Sequence, residues 1–332
     1  MNPAPTPVVF EPLYKIKPWG GRMLATLFNK PLPADEQIGE SWELVSLPGN
    51  ESRVARGPLA GRTISDLLDM WGTTLIGNVD LVDGRFPLLI KFLDARENLS
   101  VQVHPKPDPS DSTGIVPGIK HEAWYVLHAD PDACMFIGLK KGVTHADLAT
   151  AANTPQAAQL LQAFPVQAGD CFYLPSGVIH ALGAGLVVAE IQTPSDVTYR
   201  LYDWDRLGTD GQPRELHIQP ALANVRLDIA DSAIAQPRHP VDTGLPNAVR
   251  ITTCERFLID RVHLQSGILN EVRNRSMAIW IILRGRVKLN RPESEYTFQA
   301  GEVVLIPADH QGTTVQAAEE CELLEVTIPQ PG

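Results

Sequence analysis

Cysteine is scarce in this 332-residue chain: four residues, Cys134, Cys171, Cys254 and Cys321, with no Cys-x-x-Cys pair. That excludes a disulfide-built scaffold and predicts buried, reduced thiols in a cytoplasmic setting. Positive charge is short as well. Lys and Arg number 28 against 39 Asp and Glu, leaving a net charge of -11. Nucleic acid and acidic membrane surfaces both demand a basic face, so neither is expected as a partner. An anionic substrate would need a local basic pocket working against the overall field. No run approaches the roughly 20 apolar residues of a membrane helix. The opening Met1-Asn2-Pro3-Ala4-Pro5-Thr6-Pro7 has neither a basic start nor an apolar core, so no signal peptide is expected.

What is present is mostly strand. Phe86 to Leu93, Ala123 to Leu127 and Leu186 to Ile191 are short apolar runs between turn residues. Thr63 to Trp71 and the Ala/Leu/Gln-rich stretch from Thr144 to Phe164 have helical spacing behind a Ser/Thr start. A weak internal repeat follows. Ile279-Trp280-Ile281-Ile282-Leu283-Arg284-Gly285 resembles Ala123-Trp124-Tyr125-Val126-Leu127-His128-Ala129, and Gly301 to Pro307 repeats the Gly-x5-Pro of Gly169 to Pro175. The first copy carries extra residues between these blocks, mostly the helical stretch. This arithmetic predicts two related β-barrels, the first with a helical insertion, joined near the proline-rich Gln236 to Val241. Residues 1–235 would form the first unit and 236–332 the second. In the second copy Ala278 falls opposite Glu122 and Gly312 opposite His180, so metal chemistry is expected in the first unit alone.

The chemistry concentrates in three places. Gly169-Asp170-Cys171-Phe172-Tyr173-Leu174-Pro175-Ser176-Gly177-Val178-Ile179-His180 describes a strand, a tight turn and a histidine aimed inward. Leu99 to His104 alternates, so Gln102 and His104 share one strand face. With Glu122 these make two imidazoles, a carboxylate and an amide, a mixed N/O set that suits zinc or another divalent transition ion. Open positions on such an ion would admit a substrate oxygen. The other histidines are expected to be structural.

Gly169-x5-Pro175-x-Gly177-x2-His180 resembles the second motif of the cupins. Five longer strings, in order, are similar to those of the type I mannose-6-phosphate isomerases, or phosphomannose isomerases. They are Lys17-Pro18-Trp19-Gly20-Gly21, Gly39-Glu40-Ser41-Trp42-Glu43, Leu99 to Pro105, Lys120-His121-Glu122-Ala123-Trp124-Tyr125 and Ser195-Asp196-Val197-Thr198-Tyr199-Arg200. The length matches the short bacterial form. The resemblance implies two cupin-like jelly-roll barrels and a zinc-dependent aldose–ketose isomerase acting on mannose 6-phosphate and fructose 6-phosphate through an enediol. It implies one zinc per chain on Gln102, His104, Glu122 and His180. Catalytic roles fall to Arg200, Lys120 and Glu190, and substrate contacts to Ser100, Trp19, Asp196 and, for phosphate, Arg206. For Arg206 a simple ion pair with Asp203 or Asp205 is the competing reading, as is an ion-paired strand carboxylate for Glu190. A related sugar isomerase with another substrate, and a non-catalytic sugar-binding cupin, are the alternatives. A small phosphosugar is the expected partner of a monomer or homodimer.

Overall fold

The computed structural model describes residues 3–106, 118–227, 240–244, 247–272, 276–292 and 294–329. The fold is mostly β. A six-stranded antiparallel sheet runs in the order Cys171–Leu174, Glu122–Ala129, Leu186–Gln192, Leu89–Ala95, Leu13–Gly21, Ile38–Leu44. A five-stranded sheet runs Leu161–Pro165, Cys134–Leu139, His180–Leu182, Val101–Val103, Tyr199–Tyr202. Trp124, Leu93, Phe172 and Val188 of the first sheet share one buried cluster with Met135, Ile137 and Leu182 of the second. The two sheets therefore close on each other around a common core.

A second pair repeats this plan. Seven strands run Val8–Val9, Val303–Ile306, Ala278–Arg284, Cys321–Thr327, Leu258–Leu264, Ala248–Thr253, Val241–Asp242. Four run Leu269–Glu271, Thr314–Ala317, Arg286–Arg291, Ser294–Gln299. The order of the repeated strands is the same in both pairs. A large apolar cluster joins the outer faces of the two bigger sheets, with Phe92, Tyr125 and Ile191 meeting Ile259, Ile279 and Leu324. Its extent explains why Leu89–Ala95 and Leu186–Gln192 are buried at every residue: both sheet faces are covered, so the strands are apolar throughout except at Lys91, Asp94, Glu190 and Gln192. Residues 236–239 of the expected join at Gln236 to Val241 lie outside the described residues, and its last residue begins the strand Val241–Asp242.

Helices are few. Ile64–Trp71 begins at a capping box: Thr63 Oγ1 accepts from the Asp66 amide at 3.0 Å, and Asp66 returns the bond to the Thr63 amide at 2.9 Å. Thr63→Ala is expected to cost about 1 kcal/mol of stability, read as a lower denaturant midpoint with unchanged slope. The expected 144–164 helix is corrected. Thr144 caps His145–Ala151 and a short turn follows at Gln156–Gln159, but Leu161–Pro165 is a strand paired with Cys134–Leu139. Backbone partners on the sheet edge override the helical preference of Ala and Gln there. No helix among the described residues is long and apolar enough to cross a membrane.

Candidate active site

Cross-strand register assembles the site. Gln102, at the centre of a three-residue strand, stands opposite His180 on one side and Arg200 on the other. Glu122 opens its strand between Leu174 and Gln192, and His104 lies one pleat beyond Gln102. Gly177, at a φ of +86°, makes the turn that returns the chain to His180. The ligand atoms of His104, Glu122 and His180 lie within 4.8 Å of one another, the only such group of His, Cys, Asp and Glu among the described residues. Glu122 Oε1 is 3.4 Å from His104 Nε2 and 3.1 Å from His180 Nε2.

These residues fit a metal. Both Nδ1 atoms face backbone carbonyls, His104 to Val197 at 2.8 Å and His180 to Val178 at 2.9 Å, which fixes each ring with its Nε2 lone pair toward Glu122. Burial, with the Lys120 charge adding to it, pulls the His104 pKa down to about 4, so the imidazole is neutral and ready to ligate at pH 7. Both Glu122 oxygens are buried, Oε1 facing the two imidazoles and Oε2 facing Lys120. Burial pushes that carboxyl up, but Lys120 and the two imidazoles hold it well below the usual carboxylate range. Gln102 has its Nε2 3.4 Å from His180 Nε2 and its Oε1 accepting from Ser100 Oγ at 2.9 Å. Turning the amide over presents its oxygen to the imidazoles and keeps the Ser100 contact, since a hydroxyl also accepts.

Beside this set lies a pocket of about 90 Å³ built from alternating charges. Lys120 Nζ is 2.5 Å from Glu122 and 2.9 Å from Glu190. Lys91 reaches Glu190 at 3.5 Å, Asp196 at 3.8 Å and Glu40 at 3.9 Å, and Lys17 meets Glu40 at 2.9 Å. Burial opposes the Lys120 charge, yet its two carboxylates hold the ammonium above the usual lysine range. Glu190 goes the other way. Its burial and the nearby Glu122 raise it above the ordinary carboxylate range against the pull of Lys120 and Lys91. Burial also pushes Glu40 up, but Lys91 and Lys17 bring it down to about 2.

The Glu40 shift has a sign. The unfolded carboxyl, near 4.5, binds protons that the folded one does not, so its contribution is complete above that pH and lost as pH falls toward 2. Glu40→Gln is expected to flatten the acid limb of stability between those values, removing on the order of 3 kcal/mol, measurable by urea melts across pH.

Most of the residues singled out in the sequence converge here. Trp19, Ser100, Gln102, Lys120, Glu190, Asp196 and Arg200 all line the pocket. The missing side chain of Gly39 lets the Trp19 ring pack against it, because a Cβ there would stand 2.7 Å from the indole. The Trp124 indole meets His180 edge-on and points its N–H at Glu190, 3.5 Å away. The Arg200 Nε is buried without a partner. Burial first, and then Arg214, lowers the Arg200 pKa.

Arg206 is placed differently. Its guanidinium donates to the Asn98 carbonyl at 2.6 Å and to Asp203 at 2.7 Å, outside the pocket lining. Asp203 also takes two bonds from Arg214, at 2.6 and 2.5 Å, and it is Arg214 that reaches the pocket. Arg214, Lys17, Glu40 and Lys91 are lining residues that sequence reading passed over. A lone lysine inside the apolar run from Phe86 to Leu93 was the available signal for Lys91.

A cupin-like, mostly β fold with a buried His–Glu–His set beside a lysine- and arginine-lined pocket defines a metal-capable enzyme of small polar substrates. The profile of the phosphomannose isomerase type I catalytic domain matches residues 9–151. Mannose-6-phosphate isomerase ManA of Bacillus subtilis is 31% identical over 318 residues, 95% of this chain and 97% of that one. The Streptococcus mutans mannose-6-phosphate isomerase is 32% identical over 295 residues, 88% of this chain and 89% of its own. The crystal structure of the Bacillus subtilis mannose 6-phosphate isomerase matches with a TM-score of 0.85 at 29% identity, over 98% of this chain and 100% of that one. The apo Salmonella typhimurium enzyme shares the fold at a TM-score of 0.76 and 18% identity, over 98% of this chain and 99% of its own. The chain belongs to the type I phosphomannose isomerase family.

Proposed function

We propose that this protein interconverts mannose 6-phosphate and fructose 6-phosphate, with one zinc ion on Gln102, His104, Glu122 and His180. The observation that carries this reading is the Lys120 bridge: it joins Glu122 of the metal set to Glu190, and Lys120, Glu190 and Gln102 line one pocket. Held by that metal set, a divalent ion would supply Lewis acidity to the site. The protein does the rest. Glu190 takes the proton from C2 of the open-chain aldose and returns it to C1 of the enediol, while the O2 hydroxyl proton passes to O1, leaving the carbonyl at C2. Its raised pKa brings the carboxyl closer to neutral pH, where it both accepts and releases a proton. Lys120 and Lys91 hold Glu190 in place and offset negative charge as the enediolate develops. Trp19 and Trp124 keep water from the reacting carbons.

Arg200, with its buried and unpartnered Nε, pairs with the phosphate together with Ser100, and Arg214 supports it. Arg206 acts through Asp203, holding the segment that presents Arg214. Asp196, 59% exposed, stands at the mouth. In this reading residues 1–235 form a catalytic barrel and 236–332 a second barrel without the metal set, except that Val8–Val9 crosses over to pair with Val303–Ile306 of the second.

Purified zinc-loaded protein should interconvert the two phosphosugars, lose turnover to a chelator and regain it with zinc. A metal-loaded, folded protein that fails to interconvert them overturns the proposal. Arg200→Ala is expected to lower kcat/KM for mannose 6-phosphate about 10–100-fold, the worth of one charged hydrogen bond. Any turnover of unphosphorylated mannose should change far less, and equal losses on both sugars would remove Arg200 from the phosphate.

A further inference from the structure

The two sheet pairs correspond residue by residue, and the correspondence leads to a second cavity. In the first pair Gln102 stands opposite His180, Trp124 opposite Glu190, and Glu190 opposite Lys91. In the second, Asn270 stands opposite Val315, Trp280 opposite Glu325, and Glu325 opposite Asp260. Ala278 opens its strand opposite Ile306 as Glu122 opens its own opposite Leu174. The register sets Val315, not Gly312, in the place of His180: the connection after Pro307 is longer than the one after Pro175.

Where the first pair packs lysines and metal ligands, the second encloses about 540 Å³, within the range of small-molecule sites. Leu264, Val315 and Leu323 form apolar walls. The polar lining includes Arg250, Asp260, Asn270, Trp280 and Glu325. Arg250 binds Asp260 with two parallel bonds, one of them Nη2 to Oδ2 at 3.0 Å. The Trp280 indole donates to Glu325 Oε2 at 2.8 Å. Asp260 and Trp280 are buried, 7% and 3% exposed, while Arg250 and Glu325 are half-buried.

We propose that this cavity is a second ligand site, taking an uncharged polyhydroxylated molecule: a monosaccharide or sugar alcohol without phosphate. Its one guanidinium is already neutralised by Asp260, and Glu325 leaves the lining acidic, so an anion is opposed. The carboxylates of Asp260 and Glu325 present acceptors to the cavity, and the Asn270 amide both donates and accepts. Planar, prepositioned acceptors in an apolar-walled cavity match vicinal hydroxyls on a carbon ring. None of these residues belongs to the isomerase site, so the two proposals stand or fall separately.

The test is methyl NMR on the full-length zinc-loaded protein, titrated with mannose, mannitol, mannose 6-phosphate and 1,6-diaminohexane. Saturable millimolar shifts at the Leu264, Val315 and Leu323 methyls are expected with mannose or mannitol, and none with the phosphosugar. Glu325→Gln, which retains an acceptor for Trp280, should weaken this binding about tenfold. Asn270→Leu, at the cavity's edge, should do the same, and both variants should keep wild-type isomerase turnover. Unmoved methyls up to the solubility of the sugars overturn the proposal. So do shifts caused only by the diamine, or affinity unchanged in both variants.

Discussion

Glu122→Gln is expected to reduce turnover about a thousandfold and to lower the bound metal well below one ion per chain. The carboxylate is the only anion in the His104–Glu122–His180 set, fully buried between the two imidazoles and Lys120. Removing it strips the site of the charge that attracts a dication, along with several kcal/mol of transition-state stabilisation, at about 1.4 kcal/mol per tenfold in rate. The amide keeps the volume of the side chain, and Lys120 retains Glu190 at 2.9 Å, so the barrel should remain folded. Metal analysis, steady-state kinetics and a thermal melt on one preparation separate these effects. A variant with full metal content and near wild-type turnover would remove Glu122 from the site. A variant that lost activity only because it unfolded would show in the melt, and His104→Gln then repeats the test from the opposite strand.

How much of this site the sequence discloses depends on how local the information is. The Gly169 to His180 turn is read from contiguous residues, because glycine at positive φ, proline and an inward histidine carry their geometry with them. Gln102 and His104 are read from strand alternation. Lys91 and Glu40 are not, since their roles arise only when Ile38–Leu44, Leu89–Ala95 and Leu186–Gln192 are laid side by side, and no spacing along one strand encodes that order. Arg214 is hidden for a similar reason: it lies in an irregular segment, brought to the pocket through Asp203. The strand at Leu161–Pro165 escaped because its Ala/Leu/Gln neighbourhood favours helix, while the unpaired edge of Cys134–Leu139 decides the outcome. Repeat spacing likewise aligned Gly312 with His180, whereas ladder register aligns Val315, because an insertion in a turn shifts sequence spacing but not strand pairing.

Glu190→Gln is expected to lower kcat by about 10²–10⁴-fold with bound metal retained, the range for loss of a positioned general acid/base. Geometry alone leaves two roles open to this carboxylate, because the residue that would move the proton also neutralises Lys91 and Lys120. The two roles have different signatures. As a proton carrier, Glu190 makes the wild-type enzyme wash the C2 hydrogen of mannose 6-phosphate into deuterated solvent, and the glutamine variant should lose this exchange while KM changes little. It should also lose the acid limb of the kcat profile, which in the wild type reports deprotonation of a carboxyl raised by burial and by Glu122. As a structural counter-ion only, its loss would leave Lys120 buried against Glu122 alone and Lys91 against the more distant Asp196 and Glu40. That would cost on the order of 3–5 kcal/mol of stability with exchange intact. Turnover and exchange close to wild type in a destabilised variant would assign Glu190 to the ion network. Lost exchange in a variant that melts near the wild-type temperature would place the proton on Glu190.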